Sequence, residues 1–130
     1  MRSLTLDTNA YTALGLGRKS LAGLVAKAPS IGLPITVLGE VHYGIYNGSR
    51  QKANEEALAS FLANSRVEIL HINEATAKLF GEIATELKRS GKPMQQNDIW
   101  IAALCKQYDY ALATGDTGFD NVLGLELISA

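Results

Sequence analysis

Four acidic residues, Asp7, Glu40, Asp98 and Asp116, lie far apart in the chain, yet each borders an apolar run. Asp7 follows Leu4-Thr5-Leu6, Glu40 sits inside ITVLGEV, Asp98 precedes IWIAALC, and Asp116 follows ALATG. Each has a structural use on its own. Asp7 and Asp98 suit helix N-caps, Glu40 suits the positive end of a helix dipole, and Asp116 suits a turn. Gathered in one place, they would repel, and some would have to take up protons at about 1.4 kcal/mol per pKa unit. A divalent cation removes that conflict. Oxygen donors without clustered His or Cys point to Mg²⁺ or Mn²⁺ and away from zinc.

Whether the acids meet depends on the elements that carry them. Short β-rich runs alternate with longer helical ones, the pattern of a parallel α/β sheet. A first strand is predicted over residues 3–6 and helical material over 8–28, stopped by Pro29. Ile31 and Leu33 open a second strand, and Pro34 and Thr36 set up a helix over 37–48. Ser49 is placed as the cap of an amphipathic helix carrying Ala57, Leu58, Phe61 and Leu62 on its apolar face. Residues 66–72 read as a third strand. Asn73 caps a long helix with Ala77, Phe80, Ile83, Ala84 and Leu87 on one face, and Gly91 stops it. The loop KPMQQN, a helix over 98–108, a strand ALATG, the loop DTGFDNVLG and a last strand LELIS complete the chain.

In a parallel sheet, strand ends and the starts of the helices that follow share one edge. Asp7 ends strand one, and Glu40 lies about one turn into the helix after strand two. From Asp98 a helix runs about 15 Å away from that edge, and strand four returns about 16 Å, bringing Asp116 back. All four acids are therefore expected at the edge where open α/β sheets bind ligands. The two histidines, His42 and His71, are not expected to take part. His42 is two positions from Glu40, about 200° round the helix, and His71 belongs to a distant strand.

The remaining composition narrows the field. The chain has 130 residues, 47% hydrophobic and 19% charged, which suits one globular domain over 1–130 and excludes wholesale disorder. No apolar run reaches the ~18 residues of a membrane span, and no secretory pattern follows Met1, so a cytoplasmic protein is expected. The single cysteine, Cys105, reads as a small buried hydrophobe. A net charge of -1 gives no global field for nucleic acid, so any such contact must be local.

The stretches LDTNAYTAL, ITVLGEVHYGI, PMQQNDIWIAALC and LATGDTGFDNVLGLELI, in this order and spacing, closely resemble the PIN-domain nucleases and, among them, the VapC-type ribonuclease toxins of toxin–antitoxin pairs. The resemblance covers essentially the whole chain. It implies an α/β/α domain around a central, mostly parallel sheet of about five strands in the order 3-2-1-4-5. It places the family's acidic quartet on Asp7, Glu40, Asp98 and Asp116, and its accessory polar positions on Asn9 and Thr114. Thr114 would hydrogen-bond a neighbouring carboxylate or a metal-bound water and Asn9 would orient Asp7, while Thr8 is read as the cap of the following helix. Asp120 is a fifth acid, read as solvated beside a loop-packing Phe119.

The resemblance further implies Mg²⁺-dependent hydrolysis of RNA phosphodiester bonds, with Mn²⁺ as the alternative ion. Asp7, Asp98 and Asp116 would hold the metal, and Glu40 would complete the site or position the attacking water. It also implies a cognate small antitoxin lying across the acidic cleft, and a homodimer. Tyr43, Ile45 and Tyr46 are the expected contact surface for one of these partners. Arg18, Lys19, Arg50, Lys52, Lys88, Arg89 and Lys92 are the candidates for phosphate contacts. Two other functions are compatible with an acid-lined strand edge. One is a non-catalytic, acid-lined module that binds RNA or protein. The other is a phosphatase with Asp7 as nucleophile, disfavoured because Asn9 stands where a second Asp is wanted.

Overall fold

The computed structural model describes residues 2–130. Five strands, β1 (Leu4–Leu6), β2 (Ile31–Pro34), β3 (Val67–Leu70), β4 (Ala111–Thr114) and β5 (Leu127–Ser129), form one sheet in the order β3-β2-β1-β4-β5. Every pairing is parallel, with Leu4 opposite both Ile31 and Ala111. β1, β2 and β4 are buried along their whole length, as a parallel sheet covered on both faces requires. This explains their continuous apolar runs, which lack the alternation of a half-exposed strand.

Six helices flank the sheet: α1 (Thr8–Gly15), α2 (Lys19–Lys27), α3 (Ile35–Tyr46), α4 (Gln51–Ala63), α5 (Glu74–Arg89) and α6 (Gln96–Tyr108). The core divides into two clusters. Leu4, Leu6, Leu21, Ile31 and Ala113 belong to one, and Leu33, Val37, Ile83, Ile101, Leu112 and Phe119 to the other. The central α6 is nearly apolar all round, with Ile99, Ile101, Ala102, Ala103, Leu104 and Cys105 buried. Two contacts hold the backbone close at the sheet's margin. Arg66 donates to the carbonyls of Val25 and Ala28, closing the end of α2, and Arg2 pairs with Asp109 and Glu126.

Several local expectations are corrected. The helical stretch 8–28 is two helices, because Gly17 adopts φ +81° and turns the chain between α1 and α2. Thr8 does not cap α1: the capping side chain is Asp7, whose Oδ1 accepts from Ala10 N at 2.8 Å. Ser49 does not cap α4 either, since Arg50 occupies that position without a side-chain bond. α3 begins at Ile35 behind Pro34, again without a side-chain cap. Ala57 and Ala77 are exposed, and Thr76 is buried in place of the latter because its hydroxyl bonds Gln107. The Asn73 cap forms as read, in a reciprocal capping box with Thr76.

That last contact also orients α5. Thr76 and Asn73, at its start, bond Gln107 near the end of α6, so the two helices pack antiparallel. The end of α5 and the turn at Gly91, with φ +69°, therefore lie beside the start of α6, where Asp98 stands.

Candidate active site

The carboxyl edge of β1 and β4 is where the acids assemble. Parallel pairing puts Leu6 level with Ala113, so Asp7 and Thr114 leave the sheet side by side. Thr114 is only 6% exposed, and its hydroxyl donates to Oδ2 of Asp7, which is equally buried. The same hydroxyl oxygen accepts from the backbone N of Asp116 at 3.0 Å. One β4 side chain thus ties together the first and the last of the four acids. Asp116 is itself fixed by Gly118 N, which donates to its Oδ1 at 2.8 Å and opens a short 3₁₀ turn (Thr117–Asn121).

Glu40, on α3, is held differently. Its Oε1 accepts from Thr8 Oγ1 at 2.7 Å and from Asn97 Nδ2 at 2.7 Å. Thr8 is the neighbour of Asp7, and Asn97 the neighbour of Asp98. Asp98 lies in the first turn of α6, where the helix dipole favours its charge. Its carboxyl is nevertheless held above the usual carboxylate range, first by burial and then by the charges of Asp116, Glu40 and Asp7. A single group that feels all three others shows that the four acids share one electrostatic neighbourhood.

Other expected participants lie elsewhere or differ in detail. Asn9 is exposed and makes no hydrogen bond to Asp7 among the described residues; it lines a shallow hollow with Thr12, Leu16 and Arg18. Asp7 is oriented by Ala10 N and Thr114 instead. Asp120 is exposed beside the buried Phe119. His42 stacks on Tyr46 with ring centroids 5.8 Å apart, and His71 is exposed just beyond the edge strand β3. Cys105 is fully buried, and burial pushes its thiol up to about 12. Of the expected contact surface, Tyr43 and Tyr46 are exposed, but Ile45 belongs to the core. Lys88, Arg89 and Lys92 are exposed at the acid-bearing end of α5 and the following loop. Sequence reasoning missed Asn97 altogether. The one signal was its position beside Asp98 at a helix start, which does not by itself reveal a partner 57 residues away.

The donor set suits a hard divalent cation. It is all oxygen, and the carboxyl of Asp98, raised first by burial and then by the charges of its three acidic neighbours, is one that a cation would favour in its ionised form. Among the described residues, no three His, Cys, Asp or Glu side chains are grouped closely enough to hold an ion as they stand.

Together, a five-stranded parallel sheet in the order 3-2-1-4-5 and an acidic strand-end cluster define a small α/β protein of nuclease type in architecture. The chain belongs to the PIN-domain family, whose profile matches residues 4–125. Within that family it is similar to ribonuclease VapC2 of Rickettsia felis, with 34% identity over 62% of this chain and 58% of that protein. It is also similar to ribonuclease VapC5 of Mycobacterium tuberculosis, with 24% identity over 95% of this chain and 92% of that one. Among solved structures, a chain of VapBC2 from Rickettsia felis, bound to a DNA fragment of its promoter, superposes with a TM-score of 0.86. The two are 28% identical and the match covers 98% of each.

Proposed function

We propose that this chain is a metal-dependent endoribonuclease toxin, neutralised by a cognate antitoxin. The observation that carries this reading is the convergence of Asp7, Glu40, Asp98 and Asp116 on one edge of a PIN-domain sheet. The names of its relatives, ribonucleases and VapBC complexes, support the substrate class and the kind of partner. Asp7, Asp98 and Asp116 would hold Mg²⁺ or Mn²⁺, with Glu40 completing the set. When bound, such an ion supplies Lewis acidity at the phosphoryl oxygens and acidifies a water.

The chain's own residues supply the rest. Thr114 holds Asp7 in place, because its hydroxyl donates to Oδ2 of that carboxylate. The Asp98 carboxyl is raised by burial and by its acidic neighbours, and a bound cation would favour its ionised form. Lys88, Arg89 and Lys92 lie at the same end of the molecule and suit the RNA backbone, a local positive contribution in a chain of net charge -1. An antitoxin would seat a basic side chain, most effectively a bidentate Arg, against the same carboxylates. The exposed Tyr43 and Tyr46 suit a protein contact, either with the antitoxin or with a second copy of the chain.

The test is cleavage of an RNA pool by the purified chain with Mg²⁺ or with EDTA. Cleavage is expected only with the metal, and Asp98→Asn, folded by circular dichroism, should lack it. Cleavage that persists in EDTA or in Asp98→Asn refutes the proposal.

A further inference from the structure

Three polar bonds around the acids join separate elements. One is the bond from Thr114 to Asp7, and the other two meet at Glu40. The hydroxyl of Thr8, at the start of α1, and the amide of Asn97, at the start of α6, both reach the same atom, Oε1 of Glu40 on α3, at 2.7 Å each. Three helices that are separate in sequence are thereby pinned at one carboxylate oxygen. No group among the described residues bonds Oε2 of Glu40. The residues that make these bonds are the immediate neighbours of Asp7 and Asp98.

The chemistry of such a bracket is specific. A glutamate has three rotatable side-chain bonds, and on an exposed helix position it would sample many arrangements. Two donors on Oε1 remove that freedom and turn the side chain so that the second oxygen is left over. They also make the position of Glu40 depend on the same backbone segments that set Asp7 and Asp98. Together with Thr114, which joins Asp7 to Asp116, the bracket links all four acids in one chain of contacts.

We propose that Asn97, together with Thr8, is a positioning residue for Glu40: the two donors hold Oε1 and leave Oε2 as the one oxygen this side chain presents to a divalent cation. Neither residue touches substrate in this role; both act through Glu40. The inference rests on the proposed metal-dependent activity, and it adds a residue that the sequence did not single out. An amide at 97 is required as a donor. An aspartate there would instead put a fifth carboxylate beside the four and lose the bond.

The experiment measures Mn²⁺ binding to the intact chain by water-proton relaxation, which requires no turnover. Thermal melting is run alongside to confirm that each variant is folded. Asn97→Ala and Thr8→Val should each weaken Mn²⁺ binding about tenfold or more, the range seen when groups that orient a ligand are removed. Thr8→Ser, which keeps the hydroxyl, should restore binding to within about twofold of the wild type. In RNA cleavage the two losses should appear in kcat, with KM nearly unchanged, because the bracket does not contact RNA.

If Asn97→Ala and Thr8→Val are folded and both bind Mn²⁺ as the wild type does, the positioning role is refuted while the nuclease assignment stands. If the wild type binds Mn²⁺ but cleaves no RNA, the nuclease assignment falls and the bracket is judged on binding alone. If the wild type binds no Mn²⁺, both are refuted.

Discussion

Replacing Thr114 by valine isolates a single hydroxyl. The two side chains have nearly the same shape, and Thr114 is 6% exposed at the end of a buried strand, so packing is retained while the donor is lost. Two bonds disappear. The one to Asp7 Oδ2 joins a hydroxyl to a buried carboxylate, a class that contributes about 1.5–3 kcal/mol. The one from Asp116 N is made at an exposed residue that water can reach, which puts it near the bottom of the ~0.5–1.5 kcal/mol range. The net loss should be about 2–3 kcal/mol, since Asp7 keeps its bond from Ala10 N. Urea unfolding at pH 7, followed by circular dichroism, should show the midpoint fall with the slope unchanged. Thr114→Ser should lose much less. In an Asp7→Asn background the valine substitution should lose at least about 1 kcal/mol of its effect, because the charge that strengthens the bond is gone. A Thr114→Val loss under about 0.5 kcal/mol, or one unchanged by Asp7→Asn, would show that the hydroxyl does not hold Asp7, and the account of the site would fail at its centre.

Asp98→Asn should stabilise the fold at neutral pH. The carboxyl is raised in the folded state by burial and by its three acidic neighbours, so its ionised form opposes folding above that raised value. As pH falls through it, the folded wild type takes up the proton first and the advantage of the asparagine should shrink; an advantage that grows toward acid pH would contradict the shift. Cys105, fully buried with its thiol pushed up to about 12, should resist a thiol reagent at pH 8 and react at once in urea. Rapid reaction in the native state would show α6 to be open at that point. Gly32→Ala should destabilise by about 1–3 kcal/mol, because a Cβ there would lie 2.7 Å from Leu70 Cδ1 and 3.1 Å from the Tyr110 ring. A neutral result in urea melts would mean that the β2–β3 margin yields more easily than its contacts suggest.

The acids at the strand ends were legible because they depend on short-range regularities. An apolar run followed by Asp, Thr or Asn marks the end of a buried strand, and the fixed rise of helices and strands then says which edge each carboxylate reaches. Leu4–Leu6 before Asp7 and Ala111–Thr114 before Asp116 show this directly. Backbone bends were less legible. Gly17 looked like one of many glycines, and only its φ of +81° separates α1 from α2. The α1 cap is equally ambiguous in sequence, because Asp, Thr and Asn all cap well and the choice of Asp7 over Thr8 depends on where the strand stops.

By itself, then, the linear order of apolar runs and acids determined the parallel α/β architecture, the edge that carries the charge, and the membership of Asp7, Glu40, Asp98 and Asp116 in one cluster. Only the tertiary structure decided what each carboxylate touches: Thr114 on Asp7, Thr8 and Asn97 on Glu40, and α5 turned so that Lys88 and Arg89 reach the acidic end. The physical reason is one of range. Periodicity and strand termination are set by neighbours a few residues away, whereas a hydrogen bond spanning 57 or 107 residues exists only once helices and strands have packed and fixed the distance between its ends.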